Sequence, residues 1–374
     1  MSKLQVYISD NQSTPYPVAH LSDVVEGLRF SRQLDGGELS CSFIVREPTQ
    51  FVPTWIGPNF DVRIVSEDGQ HAWRGRMEEA YAVENENEEY WEITAVGYAA
   101  NLDDRIDTSE NVSGLATDVI VTNFLTNHTQ QIDVQSVSAT GVTLSAATAI
   151  TLTNEKGYGH VNFAKRFGFS DDMPAQWYVK TQADGDREFL FEKRPTAASY
   201  FIYRRDWTNA RRGFTFKEYA NRVVVEYNSG ASVVTVDDTT AQGAGPAGVG
   251  VIRTAFISIP EITQAADATQ AGEALLTKLK TLRMNARSIS IRPNAIILDD
   301  QGLEVKPYMV QIGKIMQVVD VVSGAAAMNT LAWNNSFVIV GMEWDDDTQT
   351  LNLTPESFDS SMSMVIAKAR KGTE

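Results

Sequence analysis

The sequence predicts a mainly β protein with α+β insertions, in which one β module occurs twice. Three observations lead there. Runs of alternating apolar and polar residues recur along the chain, bounded by Asp-Gly and Gly-rich turns. Only one segment shows a long, clean helical period. An order of strand, glycine turn, tryptophan, glycine, acidic turn and strand is also met twice, once near each end.

The first strands are 28–34 and 39–45, joined by Asp35, Gly36 and Gly37, which suit a tight hairpin. The inward parity of the second strand holds Leu39, Cys41, Phe43 and Val45, so the single cysteine reads as a small buried hydrophobe. Pro48, Pro53 and Pro58 would break a ladder, so the next stretch is a connection. Strands at 61–65, 73–76 and 89–98 then complete a first β domain over 1–105.

From 106 the texture changes. A short helix is expected over 113–125, capped by Ser113, with Leu115, Ile120 and Phe124 on one side. A hairpin over 132–152, broken at Thr140 and Gly141, follows. After it come a second short helix at 161–167 and strands at 176–181 and 187–192, closing an α+β domain at 106–213. The third domain, 214–374, begins with a strand at 218–227, a Gly/Ala loop and a strand at 251–259. Its inserted helix, 265–283, spaces Ala268, Ala271, Leu275, Leu279 and Leu282 by three and four residues. Lys278, Lys280 and Arg283 sit near the end where the helix dipole favours cations. Strands at 288–292, 309–322, 337–344 and 350–354 finish the chain.

The echo pairs 61–65, Trp73, Gly75, the acidic turn 84–89 and Ile93-Thr94 with 317–322, Trp333, Gly341, the acidic turn 345–347 and Leu353-Thr354.

Charge narrows the function classes. With 32 Lys and Arg against 48 Asp and Glu, the net charge is −16, the opposite of a phosphate-binding face. An acidic wall repels DNA over roughly 10 Å at 0.1 M salt, which suits a channel that DNA slides through. The uncharged stretches 134–154 and 323–342 are too rich in Ser, Thr, Asn and Gln to span a bilayer, so no membrane helix is expected. No apolar leader precedes the first strand, and a lone cysteine fits synthesis in a reducing cytosol.

Chemistry is sparse. His20, His71, His128 and His160 lack metal-ligand spacing, and no cofactor or metal is expected. Gly243, Gly245 and Gly248 spell a dinucleotide pattern, but Pro246 interrupts it and a strand follows where a helix is needed. Acidic pairs such as Asp171-Asp172, Asp237-Asp238 and Asp299-Asp300 fall in turns and read as solvated, so no enzyme is expected. One basic-aromatic cluster stands out: Tyr203, Arg204, Arg205, Trp207, Arg211 and Arg212, a composition enriched at interfaces. These six are the candidate interface residues.

Taken in order, 28–45, 61–75, 92–98, 219–227, the helix around Leu275 and 308–320 with the final hairpin resemble baseplate hub proteins of tailed bacteriophages, also called tail-associated or minor tail proteins. That resemblance implies two related tube-type β-barrel domains and a smaller peripheral α+β domain. It implies a homotrimer whose six barrels form a pseudo-sixfold ring. The expected partners are the hexameric tail tube and distal tail proteins above, and a spike or fibre protein at the tip. Genomic DNA would pass through without specific binding, in a virion baseplate assembled in the host cytoplasm. A receptor- or carbohydrate-binding tail tip is the alternative; it needs exposed aromatic platforms, for which Trp55, Trp177 and Trp207 are candidates. A cell-wall hydrolase is a third class, without a convincing catalytic set.

Overall fold

The computed structural model describes residues 4–10, 17–84, 88–102, 109–128, 131–147, 149–153, 159–182, 184–213, 219–243, 249–280, 285–319 and 336–356. The first strand set comprises β1 (Gln5–Ser9), β2 (Pro17–His20), β3 (Val25–Gln33), β4 (Gly36–Val45), β5 (Asp61–Val65), β6 (His71–Glu84) and β7 (Glu89–Gly97). They lie side by side in the order β2-β1-β5-β6-β7-β4-β3, each neighbouring pair antiparallel.

A mixed section follows, with β8 (Ser109–Asn111), α1 (Thr117–His128), β9 (Val134–Val137), β10 (Thr151–Thr153), α2 (Gly159–Lys165), β11 (Ala175–Thr181) and β12 (Arg187–Lys193). Strand β11 joins it to the first set by running parallel to β4, Tyr178 opposite Gly36 and Val179 opposite Gly37. Gly37 is indispensable to this contact: its φ is +102°, and a Cβ there would fall on the Val179 carbonyl.

Next come β13 (Tyr200–Tyr203) and β14 (Trp207–Gly213). An insertion then holds β15 (Arg222–Tyr227), β16 (Ser232–Asp237), α3 (Thr239–Gln242), β17 (Thr254–Ile259) and α4 (Ala265–Leu279). The chain finishes with β18 (Asn285–Ile291), β19 (Ile297–Asp299), β20 (Glu304–Val305), β21 (Ile315–Val319), β22 (Ser336–Asp345) and β23 (Thr350–Pro355). The second strand set runs β19-β13-β21-β22-β23-β18-β14.

The two orders match. Strands β1, β3, β4, β5, β6 and β7 correspond to β13, β14, β18, β21, β22 and β23, both along the chain and across the sheet. A shared irregularity fixes the residue alignment. One extra residue bulges from β6 between Met77 and Glu79, and one from β22 between Ile339 and Gly341. Around it Ile93 matches Leu353, Phe43 matches Ile289 and Val62 matches Met316, all buried. The one exception is β13, which lies parallel to β21 although β1 is antiparallel to β5. The mainly β class with few helices and two related strand sets is therefore the fold, curled around one apolar core drawn from both sets.

Several local expectations change. The echo holds for strands but slips in residues: Gly75 corresponds to Phe337 and not to Gly341, while Trp333 lies outside the described residues. Helix α1 starts at Thr117, because Gly114 turns the chain at φ +71° and Ser113 Oγ donates to Asn111 Oδ1. The hairpin expected over 132–152 does not form; β9 pairs with β12 and β10 with β8. Strand β16 and helix α3 occupy what reads as a Gly/Ala loop. Leu39 is exposed rather than inward, since Ser31 faces Ser40 and Arg32 faces Glu38, leaving Leu39 as the bulged residue.

Two further cores cover the remainder. Helix α4 packs its Ala268, Ala271, Leu276 and Leu279 face onto β15 and β16, in one core with Ile120 and Val142 from the mixed section. Trp177, Phe189 and Phe191 of β11 and β12 pack with Val121, Phe124 and Val161.

Candidate assembly interface

The two strand sets meet at one ladder. Strand β3 lies antiparallel to β22, with Arg29 opposite Asp345, Phe30 opposite Trp344, Ser31 opposite Glu343, Arg32 opposite Met342 and Gln33 opposite Gly341. On one face Phe30, Met342 and Trp344 are at most 3 % exposed. On the other, Arg29 Nε reaches Asp345 Oδ2 at 3.0 Å.

Arg32 locks the joint from inside. Its guanidinium donates to the carbonyls of Val310 at 2.9 Å and Tyr308 at 3.2 Å in the second set, and to Ala72 in the first. Burial lowers its pKa despite the neighbouring Glu38 carboxylate. Glu38 is buried on β4 and raised to about 7, chiefly by desolvation; Arg32 and the Thr181 hydroxyl, 2.8 Å away, pull the other way. Asp61, also buried, behaves oppositely. Desolvation pushes it up, but Arg74 at 2.9 Å, Arg63 at 2.5 Å and the Tyr98 hydroxyl at 2.6 Å hold it below the usual carboxylate range. These charges fasten elements together. A nearby crevice lined by Arg32, His71 and Tyr178 offers about 30 Å³, room for a water and not for a substrate.

The joint is one-way. Among the described residues, no strand covers β14 on the edge away from β18, or the second half of β6 on the edge away from β7. Yet these are the counterparts of β3 and of the second half of β22.

The six candidate interface residues fall on this region. Tyr203 ends β13, and the exposed Arg204 and Arg205 form a single 3-10 turn with Asp206. Arg205 lies 5.1 Å from the Tyr203 ring centre and 3.8 Å from Asp206. Trp207 is core, 8 % exposed. Arg211 and Arg212 lie on β14; their side chains are outside the described residues. The cluster thus divides into a buried anchor and a basic edge. Trp55 and Trp177, like Trp207, are buried, which removes all three as platforms for a glycan ring.

The acidic pairs hold turns and ion pairs. Asp171 meets Lys193 at 2.6 Å, Asp237 meets Arg222 at 2.6 Å, and Asp299 accepts from the backbone of Gln301 and Leu303. Cys41 is buried, and desolvation raises its thiol pKa. Residues 244–248 of the glycine pattern and Asp103-Asp104 lie outside the described residues. Among the described residues no cluster of His, Cys, Asp or Glu could hold a metal, and no helix is long and apolar enough to cross a membrane.

No protein-family model matches this sequence, and no curated protein matches it. Solved structures do. The tail protein from Neisseria meningitidis MC58 aligns with a TM-score of 0.59 at 12% identity, over 96% of this chain and 97% of that one. The 43 kDa tail protein of prophage MuSo2 from Shewanella oneidensis aligns at 0.58 and 11%, over 95% and 98%. Prophage tail protein gp18 from Listeria monocytogenes EGD-e aligns at 0.58 and 12%, over 99% and 100%. The chain has the fold of phage-type tail proteins, end to end.

Proposed function

We propose that this chain is a structural hub of a bacteriophage tail. Three copies form a ring of six strand modules, which meets a hexameric tail tube on one side and a spike or fibre on the other. The reading is supported above all by one observation: two modules of equal strand order are joined by a one-way ladder. A head-to-tail contact of this kind leaves a donor edge and an acceptor edge, and repeating it closes a ring when the rotation allows. Duplication lets a trimer present six equivalent units to a sixfold partner while keeping threefold symmetry for a tip.

In this reading the first module is the domain 1–105. The second, expected over 214–374, takes in β13 and β14 as well, and the 106–213 section with the 219–280 insertion forms the periphery. The acidic composition, net −16, suits a bore that genomic DNA crosses without adhering. The role is structural and without catalysis, in a virion tail assembled in the host cytoplasm.

Light scattering on the purified protein tests the stoichiometry. A mass three times the 41.3 kDa of one chain supports the hub. A stable dimer at all concentrations removes it.

A further inference from the structure

The proposed trimer needs a joint between chains, and the chain carries a template for it. We infer that β14 of one subunit pairs antiparallel with the second half of β6 of the next, reproducing the β3–β22 ladder across the subunit boundary. This inference rests on the trimeric hub reading and adds the partner, the strands and the register.

Three observations converge. First, correspondence: β14 stands for β3 by its place in the strand order, and β6 stands for β22 with its bulge in the same place. Second, exposure: in β22 the ladder buries Met342 and Trp344, at 3% and 2%. The matching Ala80 is half-buried and Ala82 exposed on β6, and Tyr81 between them is 56% exposed. A strand with one edge open invites pairing with another chain. Third, charge: the intrachain ladder sets Arg29 of β3 against Asp345 of β22, a basic strand edge meeting an acidic one. The open strands repeat that polarity, with Arg211 and Arg212 on β14 and Glu78, Glu79 and Glu84 on β6. The matching charges point to a second copy of this chain as the occupant.

The alignment also gives the register. Arg212 faces Ala286 as Ser31 faces Ser40, and Tyr81 takes the place of Glu343. Ser31 lies opposite Glu343, so Arg212 lies opposite Tyr81 of the neighbouring subunit.

Cysteine pairing tests this directly. Directly opposite residues place their Cβ atoms about 4.5–5.5 Å apart, close to disulfide range. The full-length Tyr81→Cys/Arg212→Cys variant, mildly oxidised, is expected to run as a covalent trimer on a non-reducing gel. Mixing the two single variants should give only covalent dimer. Ala82→Cys/Arg212→Cys, shifted by one residue to the opposite face, should stay uncrosslinked; buried Cys41 can remain in place. A trimer by light scattering without the Tyr81–Arg212 link overturns this joint and leaves the hub reading standing. A monomer without the link overturns both. A charge swap guards against misfolded cysteine variants: Glu79→Lys should weaken assembly at least about tenfold, and adding Arg212→Glu should restore it. No loss with Glu79→Lys in a folded protein also overturns the joint.

Discussion

Arg29 and Asp345, which lie 316 residues apart, face each other across the ladder that joins the two modules, with Arg29 Nε 3.0 Å from Asp345 Oδ2. Behind them Phe30 faces Trp344, both buried. The two pairs differ greatly in energetic weight. Arg29 is 58% exposed, and ion pairs of that kind contribute about 0–1 kcal/mol. Trp344 packs edge-on against Tyr308 with ring centres 5.6 Å apart, and emptying such a site costs about 3–5 kcal/mol. Chemical denaturation should therefore find Trp344→Ala strongly destabilising and Arg29→Ala nearly silent. The reverse ranking would mean that charge and not packing holds the modules together.

Glu38 sets a pH dependence. Its folded pKa, about 7, lies above the ordinary 4.5, so the fold favours the protonated acid. The stability this contributes is fully present below about pH 4.5 and is lost as pH rises through 7. At roughly 1.4 kcal/mol per unit, the loss approaches about 3 kcal/mol. Denaturation of wild type and Glu38→Gln between pH 4.5 and 8 checks it: the wild type should lose stability relative to the variant as pH rises. A constant difference between them would contradict the assigned burial.

Glu356 closes the far end of the sheet. Its carboxylate sits 2.6 Å from Arg194 Nη2 and 3.5 Å from Lys278 Nζ, joining the end of β23 to the segment after β12 and to helix α4. Burial lowers Lys278 to about 8, against the pull of Glu356. Glu356→Ala would strand the buried Arg194 and the half-buried Lys278 and should cost about 3 kcal/mol. Adding Lys278→Met should recover part of the loss. A cost below about 1 kcal/mol would show that water reaches this triad.

Gly37 tolerates no side chain. Gly37→Ala places a methyl on the Val179 backbone and forces alanine into positive φ, so β4 and β11 must separate. Limited proteolysis should cut the mixed section away from the first module in this variant. A cleavage pattern like wild type would contradict the described contact.

The acidic balance predicts weak contact with nucleic acid. Linear duplex DNA in low-salt buffer should migrate unretarded with the purified protein. Salt-sensitive retention would reveal a basic face and remove the sliding-channel argument.

Much of this fold was legible in the sequence, for identifiable reasons. The period-two strands around Phe43, Ile64 and Ile93 and the spacing of Ala268, Ala271 and Leu279 report burial directly. The buried charges were not. A bulge at Leu39 turns Glu38 inward, and alternation alone assigns the opposite faces. Arg32 shares the parity of Leu28 and Phe30, a signal that an arginine on a core face must find carbonyl partners. Strands β13 and β14 hide within the Tyr203 to Arg212 cluster because their pattern is short and broken by the 3-10 turn. The cluster's composition singles out the segment that holds β14, while the correspondence of β14 with β3 is visible only in the strand pairing.

Electron microscopy of the purified assembly tests the central claim most directly. Averaged end-on views should show six lobes around an open bore at low resolution, resolving into three chains of two unlike modules at higher resolution. Single two-lobed particles, or a twofold dimer in which β14 and β6 pair within one chain, would contradict it.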